Sequence, residues 1–430
     1  MTAEIAILNK TAVALAADSK VTLSRGGMQK TYDTVDKLFS LSKTEPVGAM
    51  IYGNAEFIGF PWETVIKEYR RKRAGQTFDT VFDWADDLKS FLLAVFPFSD
   101  EDEDRVAISI AQSWIQETMQ QVMPGSRGPD DFRLALIEAA EIEIEELEAA
   151  DDFLTQAEWT NLKGRIKKRL QSLSSSGFFA QFPDCHAPLL KIAELGIRKA
   201  VASPATSGLV VAGFGECELL PSLISFDVDG ILTGRLKALP TQRIDTTRKS
   251  TGVILPFAQT DMVYRFMQGI DPDYAVLIHE GIGDLLLENA LDTARALGHS
   301  DEEIEKLMPA LTTATQASVR AFWDENEKLR SERFASPIIE MAMSLPKDEL
   351  ANLAESLVSL TSLQRRVSRE IETVGGAIDV AVISKGDGFV WIKRKHYFNP
   401  DRNLRFVNAY FSELGRVTNG GKHSGDNATA

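Results

Sequence analysis

The chain is poor in the side chains that staple a fold or hold a metal. It has two cysteines, Cys185 and Cys217, in 430 residues. That excludes a disulfide framework and a cysteine-rich zinc site. Five histidines (His186, His279, His299, His396 and His423) include no close His-x₃-His pair, so neither metal nor cofactor is expected. The adjacent Cys185-His186 reads as packing or loop residues. No apolar run approaches the roughly 18 residues of a membrane helix. The opening Met1-Thr2-Ala3-Glu4 lacks the basic segment and long apolar core of a secretory signal. A cytoplasmic protein with no membrane partner is the expectation. Basic residues are also in deficit: 47 Lys and Arg against 62 Asp and Glu leave a net charge of −15. A nucleic-acid partner needs a basic surface to neutralise phosphates, so none is expected.

What is present is ordinary globular material, 44% hydrophobic and 25% charged, enough for two or three domain-sized masses or one enlarged domain. Short apolar runs at 3–8, 12–17, 35–41 and 47–52 read as strands, the first two joined through Asn9-Lys10-Thr11 as a hairpin. Residues 61–200 turn helical, with Phe78, Val81, Phe82, Trp84, Leu88, Phe91 and Leu92 at helical spacing. Residues 138–152 read as an acidic helix packing through Leu136, Ile142, Ile144 and Leu147. The run Asp100-Glu101-Asp102-Glu103-Asp104 reads as a solvated loop or helix start, and 172–177 as a connection. Strand character returns at 208–214 and 221–227, the latter ending at the turn Asp229-Gly230. Helices resume over 257–372, starting near Asp261 and 346–349. Strands at 377–383 and 389–392 flank the turn Ser384-Lys385-Gly386-Asp387-Gly388. Strand and helix thus alternate in blocks, which predicts an α+β fold of sheets covered by helices. The sheet core takes 1–60, 205–265 and 365–400. One helical layer with an insertion takes 61–204, a second takes 266–364, and 412–430 is a flexible tail.

The chemistry begins at Thr2. Removal of Met1 would leave a terminal threonine, which carries a hydroxyl nucleophile and an α-amino base on one residue. Such an amine has a pKa of roughly 7.7–8.0, low enough to accept a proton near neutrality. Many unrelated chains begin Met-Thr, so the signal needs company. If the hairpin turns on Lys10, paired numbers sum to about 20 and Thr2 faces Asp18, roughly 4.5–5.5 Å away between Cβ atoms; a one-residue change in the turn would shift that partner. Lys37 sits in Val35-Asp36-Lys37-Leu38-Phe39. Pointing inward, it would pair with Asp18 and tune the amine; pointing outward, it is an ordinary strand lysine. Gly53 follows an apolar strand, where a backbone N–H can approach a ligand closely and could serve a developing oxyanion. It also reads as a plain turn glycine.

Ala14-Leu15-Ala16-Ala17-Asp18-Ser19-Lys20-Val21-Thr22 resembles the second strand and following turn of proteasome β-type subunits and of their bacterial relatives, the HslV-type and Anbu-type N-terminal-nucleophile (Ntn) hydrolases. Lys37-Leu38-Phe39 with Met50-Ile51-Tyr52-Gly53-Asn54-Ala55-Glu56 is similar to that family's lysine and glycine strands. Leu209-Val210-Val211-Ala212-Gly213, the stretch 223–230, and 376–385 resemble its later strands. The resemblance implies a four-layer αββα sandwich with large helical insertions. It implies Thr2 as nucleophile and base, Asp18 orienting Lys37, Lys37 tuning proton transfer, Gly53 giving the oxyanion N–H, and Ser19 and Lys20 shaping the floor. The stretch from Asp18 to Lys37 is longer than in the family, which makes Lys30 a rival for the lysine. Where the family has an aspartate and a serine after its last helix, this chain offers Glu370 and Glu372. The implied activity is a self-assembling threonine-type endopeptidase, cytoplasmic and ring-forming. It would act on unfolded protein or peptide and could be served by an AAA+ unfoldase, since the chain has no P-loop of its own. Two other readings remain at this stage: a catalytically silent proteasome-like scaffold, and an Ntn amidohydrolase of small amides.

Overall fold

The computed structural model describes residues 2–25, 28–95, 97–246, 252–368, 374–396, 398–405 and 408. The chain opens with β1 (Ala3–Asn9), β2 (Val13–Ala17), β3 (Val21–Arg25), β4 (Met28–Tyr32), β5 (Leu38–Ser40), β6 (Val47–Gly53) and the short pair β7 (Glu56–Phe57) and β8 (Phe60–Pro61). Helices α1 (Trp62–Lys72), α2 (Val81–Ala94), α3 (Asp100–Val122), α4 (Pro129–Ala149), α5 (Gln156–Ser175) and α6 (His186–Arg198) follow. Next come β9 (Ser207–Gly213), β10 (Ser222–Leu232), β11 (Arg235–Asp245) and β12 (Gly252–Ala258). A second helical block, α7 (Asp261–Gln268), α8 (Pro272–Ala296), α9 (Asp301–Arg330), α10 (Ser336–Ser344) and α11 (Lys347–Val367), leads to β13 (Asp379–Ser384) and β14 (Gly388–Lys393). The fold is mixed α+β with antiparallel sheets. Two are five-stranded, ordered β12-β1-β2-β13-β14 and β11-β10-β9-β6-β5.

Alternation along the strands explains how the sheets pack. In β1 the even residues Ala6 and Leu8 join Val13, Leu15 and Ala17 of β2 in one buried cluster with Leu38, Met50, Val210, Ala212 and Leu223 of the other sheet. The odd residues Ile5 and Ile7 pack instead with Ala351, Ala354, Leu357 and Val358 of α11. On the second sheet, Val47, Ala49, Ile51, Leu209 and Val211 meet Val65, Ile66 and Tyr69 of α1 and Trp84 and Leu88 of α2. Both faces of β1 and β2 are therefore buried, as the all-buried patterns of these strands record. Each leucine or isoleucine buried this way contributes about 1.5–3 kcal/mol.

Several sequence expectations need correcting. The run at 35–41 forms strand only at Leu38–Ser40. The interval between Asp18 and Lys37 holds a hairpin, β3 with β4. β10 does not end at Asp229-Gly230. It runs on to Leu232 through a bulge, and Asp229 is held inside by Ser203 and Lys237. β11 and β12 lie within the expected sheet core at 205–265, although no individual strand was expected at their positions. Ser172 to Ser175 are the last turn of α5, which removes most of the expected connection. In α4, Leu136 and Leu147 are buried as expected, while Ile142 is exposed. The acidic run starts α3 under a Ser99–Asp102 capping box. Arg165 bridges Glu103 and Asp104. Cys185 is buried and unbridged, and a His186 ring nitrogen meets the Phe179 carbonyl oxygen at 2.8 Å. The tail at 412–430 lies outside the described residues. Among the described residues no helix is long and apolar enough to cross a membrane.

Candidate active site

The β1–β2 turn fixes what Thr2 can face. Asn9 accepts from the Thr11 and Ala12 amides through its side-chain oxygen, while its own N–H donates to Ala12 O at 3.0 Å. The turn therefore spans Asn9 to Ala12, and paired numbers sum to 21: Glu4 lies opposite Ala17 and Leu8 opposite Val13. The sequence-based register was one residue short. Ala3, not Thr2, meets Asp18. The Asp18 amide donates to Ala3 O at 3.1 Å, and the Ala3 amide donates to Asp18 Oδ1 at 3.2 Å. Thr2 is tied on the other side, where its carbonyl accepts from the Gln259 amide at 3.0 Å just beyond β12.

Asp18 and Lys37 do come together. Lys37 Nζ lies 2.5 Å from Asp18 Oδ1, with side chains 6% and 0% exposed. Desolvated ions of this kind persist only when their remaining polar capacity is met. Asp18 meets it fully: Oδ2 accepts from the Lys20 amide at 3.3 Å and from the Gly375 amide at 2.9 Å. Lys37 is positioned by its own carbonyl, which accepts from the Ile51 amide of β6 at 2.9 Å. Ser19 sits on the same scaffold. Its amide bonds Gly375 O, its carbonyl accepts from the Val35 amide, and its hydroxyl donates to Ala377 O. Lys20 lies 4.0 Å from Asp33.

A third charged group was missed by the sequence reading. Glu4, two residues on from Thr2 and thus on the same face of an extended chain, is buried, and its carboxylate lies 3.9 Å from Lys37 Nζ. Burial pushes its carboxyl up to about 8. Lys37 pulls it back, Asp18 raises it, and the Thr2 hydroxyl beside it lowers it. Neither Glu4 oxygen nor Thr2 Oγ1 has a hydrogen-bond partner of normal geometry among the described residues. The signal in the sequence was parity: a glutamate in the row otherwise filled by Ala6 and Leu8.

Gly53 ends β6 at φ +78°, and a Cβ there would lie 2.4 Å from Thr206 O. Glycine is required on both counts. The strand end is pinned by Trp62 Nε1 donating to Ser207 Oγ and Ser207 Oγ donating to Asn54 O. Thr2, Lys37 and Gly53 all line one cleft of about 310 Å³, with Val21, Tyr32 and Tyr52 also on its walls. Burial pushes the Tyr52 hydroxyl well above its ordinary range, and the Asp227 carboxylate that it bonds at 3.1 Å adds to this.

Lys30 does not reach this group. It is exposed on β4, paired with Leu23, its ammonium 5.2 Å from the Tyr32 ring centre. Glu370 and Glu372 lie outside the described residues. Where description resumes, Val374 is buried and Gly375 delivers its amide to Asp18, a backbone contribution that no side-chain motif announces.

No family model matches this sequence, and no curated protein matches it. Among solved structures, an Anbu (Gly-1) mutant from Hyphomicrobium sp. strain MC1 aligns over 100% of both chains at 11% identity and a TM-score of 0.26.

Proposed function

We propose that this chain is a threonine-type Ntn hydrolase built on a four-layer αββα sandwich, with Thr2 as nucleophile once Met1 is removed. One observation carries the reading. Thr2, Lys37 and Gly53 share a cleft, and Asp18 holds Lys37 from behind as a desolvated pair. The three cleft residues come from the segments before β1 and before β5 and from the end of β6, which are far apart in sequence.

In this reading the freed α-amine takes the proton from Thr2 Oγ as the oxygen attacks the substrate carbonyl carbon. The Lys37 ammonium, fixed by Asp18, stabilises negative charge around the reacting oxygen. The Gly53 N–H serves the carbonyl oxygen as it becomes an oxyanion, an effect worth about 2.7–4 kcal/mol per donor in other acyl-transfer sites. The C–N bond breaks as the amine leaves with the proton from the α-ammonium, and an ester remains on Thr2. Water then attacks that ester, releasing the carboxylic acid and restoring the hydroxyl.

The substrate we favour is unfolded protein or peptide, acted on by a homo-oligomeric ring with an AAA+ unfoldase as partner. A second reading, hydrolysis of small amides, is favoured by the cleft volume of about 310 Å³, at the lower end of small-molecule sites. The test has two stages. Intact-mass analysis is expected to show loss of Met1, and a β-lactone or epoxyketone probe is expected to add to the wild type and not to Thr2→Ala. Casein-like unfolded protein and N-acyl small molecules, offered side by side, then separate the two substrates. Retention of Met1, or equal labelling of Thr2→Ala, overturns the assignment.

A further inference from the structure

Glu4 occupies a place that the core gives to alanine and leucine. It follows Thr2 on the even face of β1, between the two sheets, and is fully screened from water. Asp18, just after β2, already saturates Lys37 at 2.5 Å, so Glu4 at 3.9 Å is a second carboxyl drawn to one ammonium. Across from it β12 offers only Phe257, which is stacked on Tyr52. From β6 the Tyr52 hydroxyl faces it, already committed to Asp227 of β10. The Thr2 hydroxyl completes its surroundings. Besides Lys37, the amino group at the chain start also acts on Glu4 as a cation and holds its carboxyl down, though less than Lys37 does.

We propose that Glu4 is a positioning residue of the site, which must be neutral for Lys37 to serve Thr2 and which sets the alkaline limit of reaction. A neutral Glu4 leaves Lys37 to Asp18 and places no net charge beside the nucleophile. An ionised Glu4 puts a second anion within 4 Å of Lys37, draws the ammonium from its seat on Asp18, and opposes the negative charge that builds up on attack. The proposal rests on Thr2 being the nucleophile.

The experiment is the rate of β-lactone labelling of the full chain against pH, for the wild type, Glu4→Gln and Glu4→Asp, with circular dichroism confirming that each is folded. Wild-type labelling is expected to rise as the α-amine loses its proton and to fall again as Glu4 ionises. One pH unit above the Glu4 midpoint only roughly a tenth of a carboxyl stays neutral, so Glu4→Gln is expected to label roughly tenfold faster than the wild type there. Glu4→Asp should keep a falling limb with a displaced midpoint. A folded Glu4→Gln with the wild-type falling limb overturns the proposal. Isotope-edited infrared spectra of the wild type at pH 7 give a readout that needs no reaction. A neutral-carboxyl carbonyl band that Glu4→Gln removes supports the neutral Glu4, and its absence overturns it. A chain that no β-lactone labels at any pH overturns the assignment of Thr2 instead, and the infrared band still decides the state of Glu4.

Discussion

Lys37 Nζ and Asp18 Oδ1 approach to 2.5 Å, with the carboxylate fully buried and the ammonium at the wall of the cleft. The pair ties the segment before β5 to the end of β2, and so ties one sheet to the other beside Thr2. Truncating Asp18→Ala strips Lys37 of its main counter-ion and leaves the Ala3, Lys20 and Gly375 amides without their acceptor. The expected loss of stability is about 3–5 kcal/mol, measured by denaturant unfolding. A loss below about 1 kcal/mol would mean that Lys37 finds an equivalent partner, with Glu4 the nearest.

Gly53→Ala should cost at least about 1–2 kcal/mol, because an L-residue at positive φ is strained and the added methyl meets Thr206 O at 2.4 Å. The strand end must shift to admit it. Labelling of Thr2 should slow in the folded variant, while Gly59→Ala, also at positive φ but with open space around it, should leave labelling unchanged. Equal labelling rates for the two variants would remove Gly53 from the site.

Lys237→Met separates stability from chemistry. Lys237 and Asp229 form a second desolvated pair, 3.0 Å apart and 0% and 1% exposed, with Lys237 also donating to Gly196 O at 2.9 Å. Burial holds the Lys237 ammonium below its ordinary pKa, and Asp229 opposes that. Methionine leaves Asp229 with only Ser203, at an expected cost of about 3–5 kcal/mol. Neither Lys237 nor Asp229 lines the Thr2 cleft, so labelling per folded molecule should not change.

Glu4 also governs how stability varies with pH. Its carboxyl is raised from 4.5 to about 8 on folding, so between those values the folded chain holds a proton that the unfolded chain has released. Stability from this group is full below about pH 4.5 and is lost as pH rises towards 8. Glu4→Gln carries no such dependence. Its melting temperature should exceed that of the wild type by a margin that widens from pH 5 to pH 8 and then levels off. A margin constant across that range would show that Glu4 folds as an ordinary carboxylate.

Much of this was legible from residues. The apolar runs of β1, β2, β6 and β9 are buried on both faces, and length and turn signals marked them well. Other strands hid for physical reasons. β12 contains Pro256, which reads against a strand until its edge position is known, where a missing N–H costs little. β11 is another edge, its residues largely solvent-facing, so no apolar alternation marked it. The β3–β4 hairpin did carry a signal in Val21 and Leu23 before Gly26-Gly27. Asp229-Gly230 has the composition of a turn, yet the ammonium of Lys237 on the neighbouring strand β11 holds the aspartate in a strand. The site followed the same rule. Asp18 could be placed near the chain start by the hairpin and Lys37 only by the family resemblance, while the register with Thr2 turned on one residue of loop, which Asn9 decides by bonding across it. Glu4 was hidden by its charge, because a glutamate near a chain start is ordinarily taken for a solvated one.

The two-sided burial of β1 also restricts how this strand can change length. Inserting or deleting one residue between Thr2 and Asn9 would swap Ile5 and Ile7 with their even-numbered neighbours and swing Glu4 out against α11. Adding or removing a pair preserves every facing. Drift at this end of the molecule is therefore quantised in twos, a constraint that surface loops elsewhere in the chain do not feel.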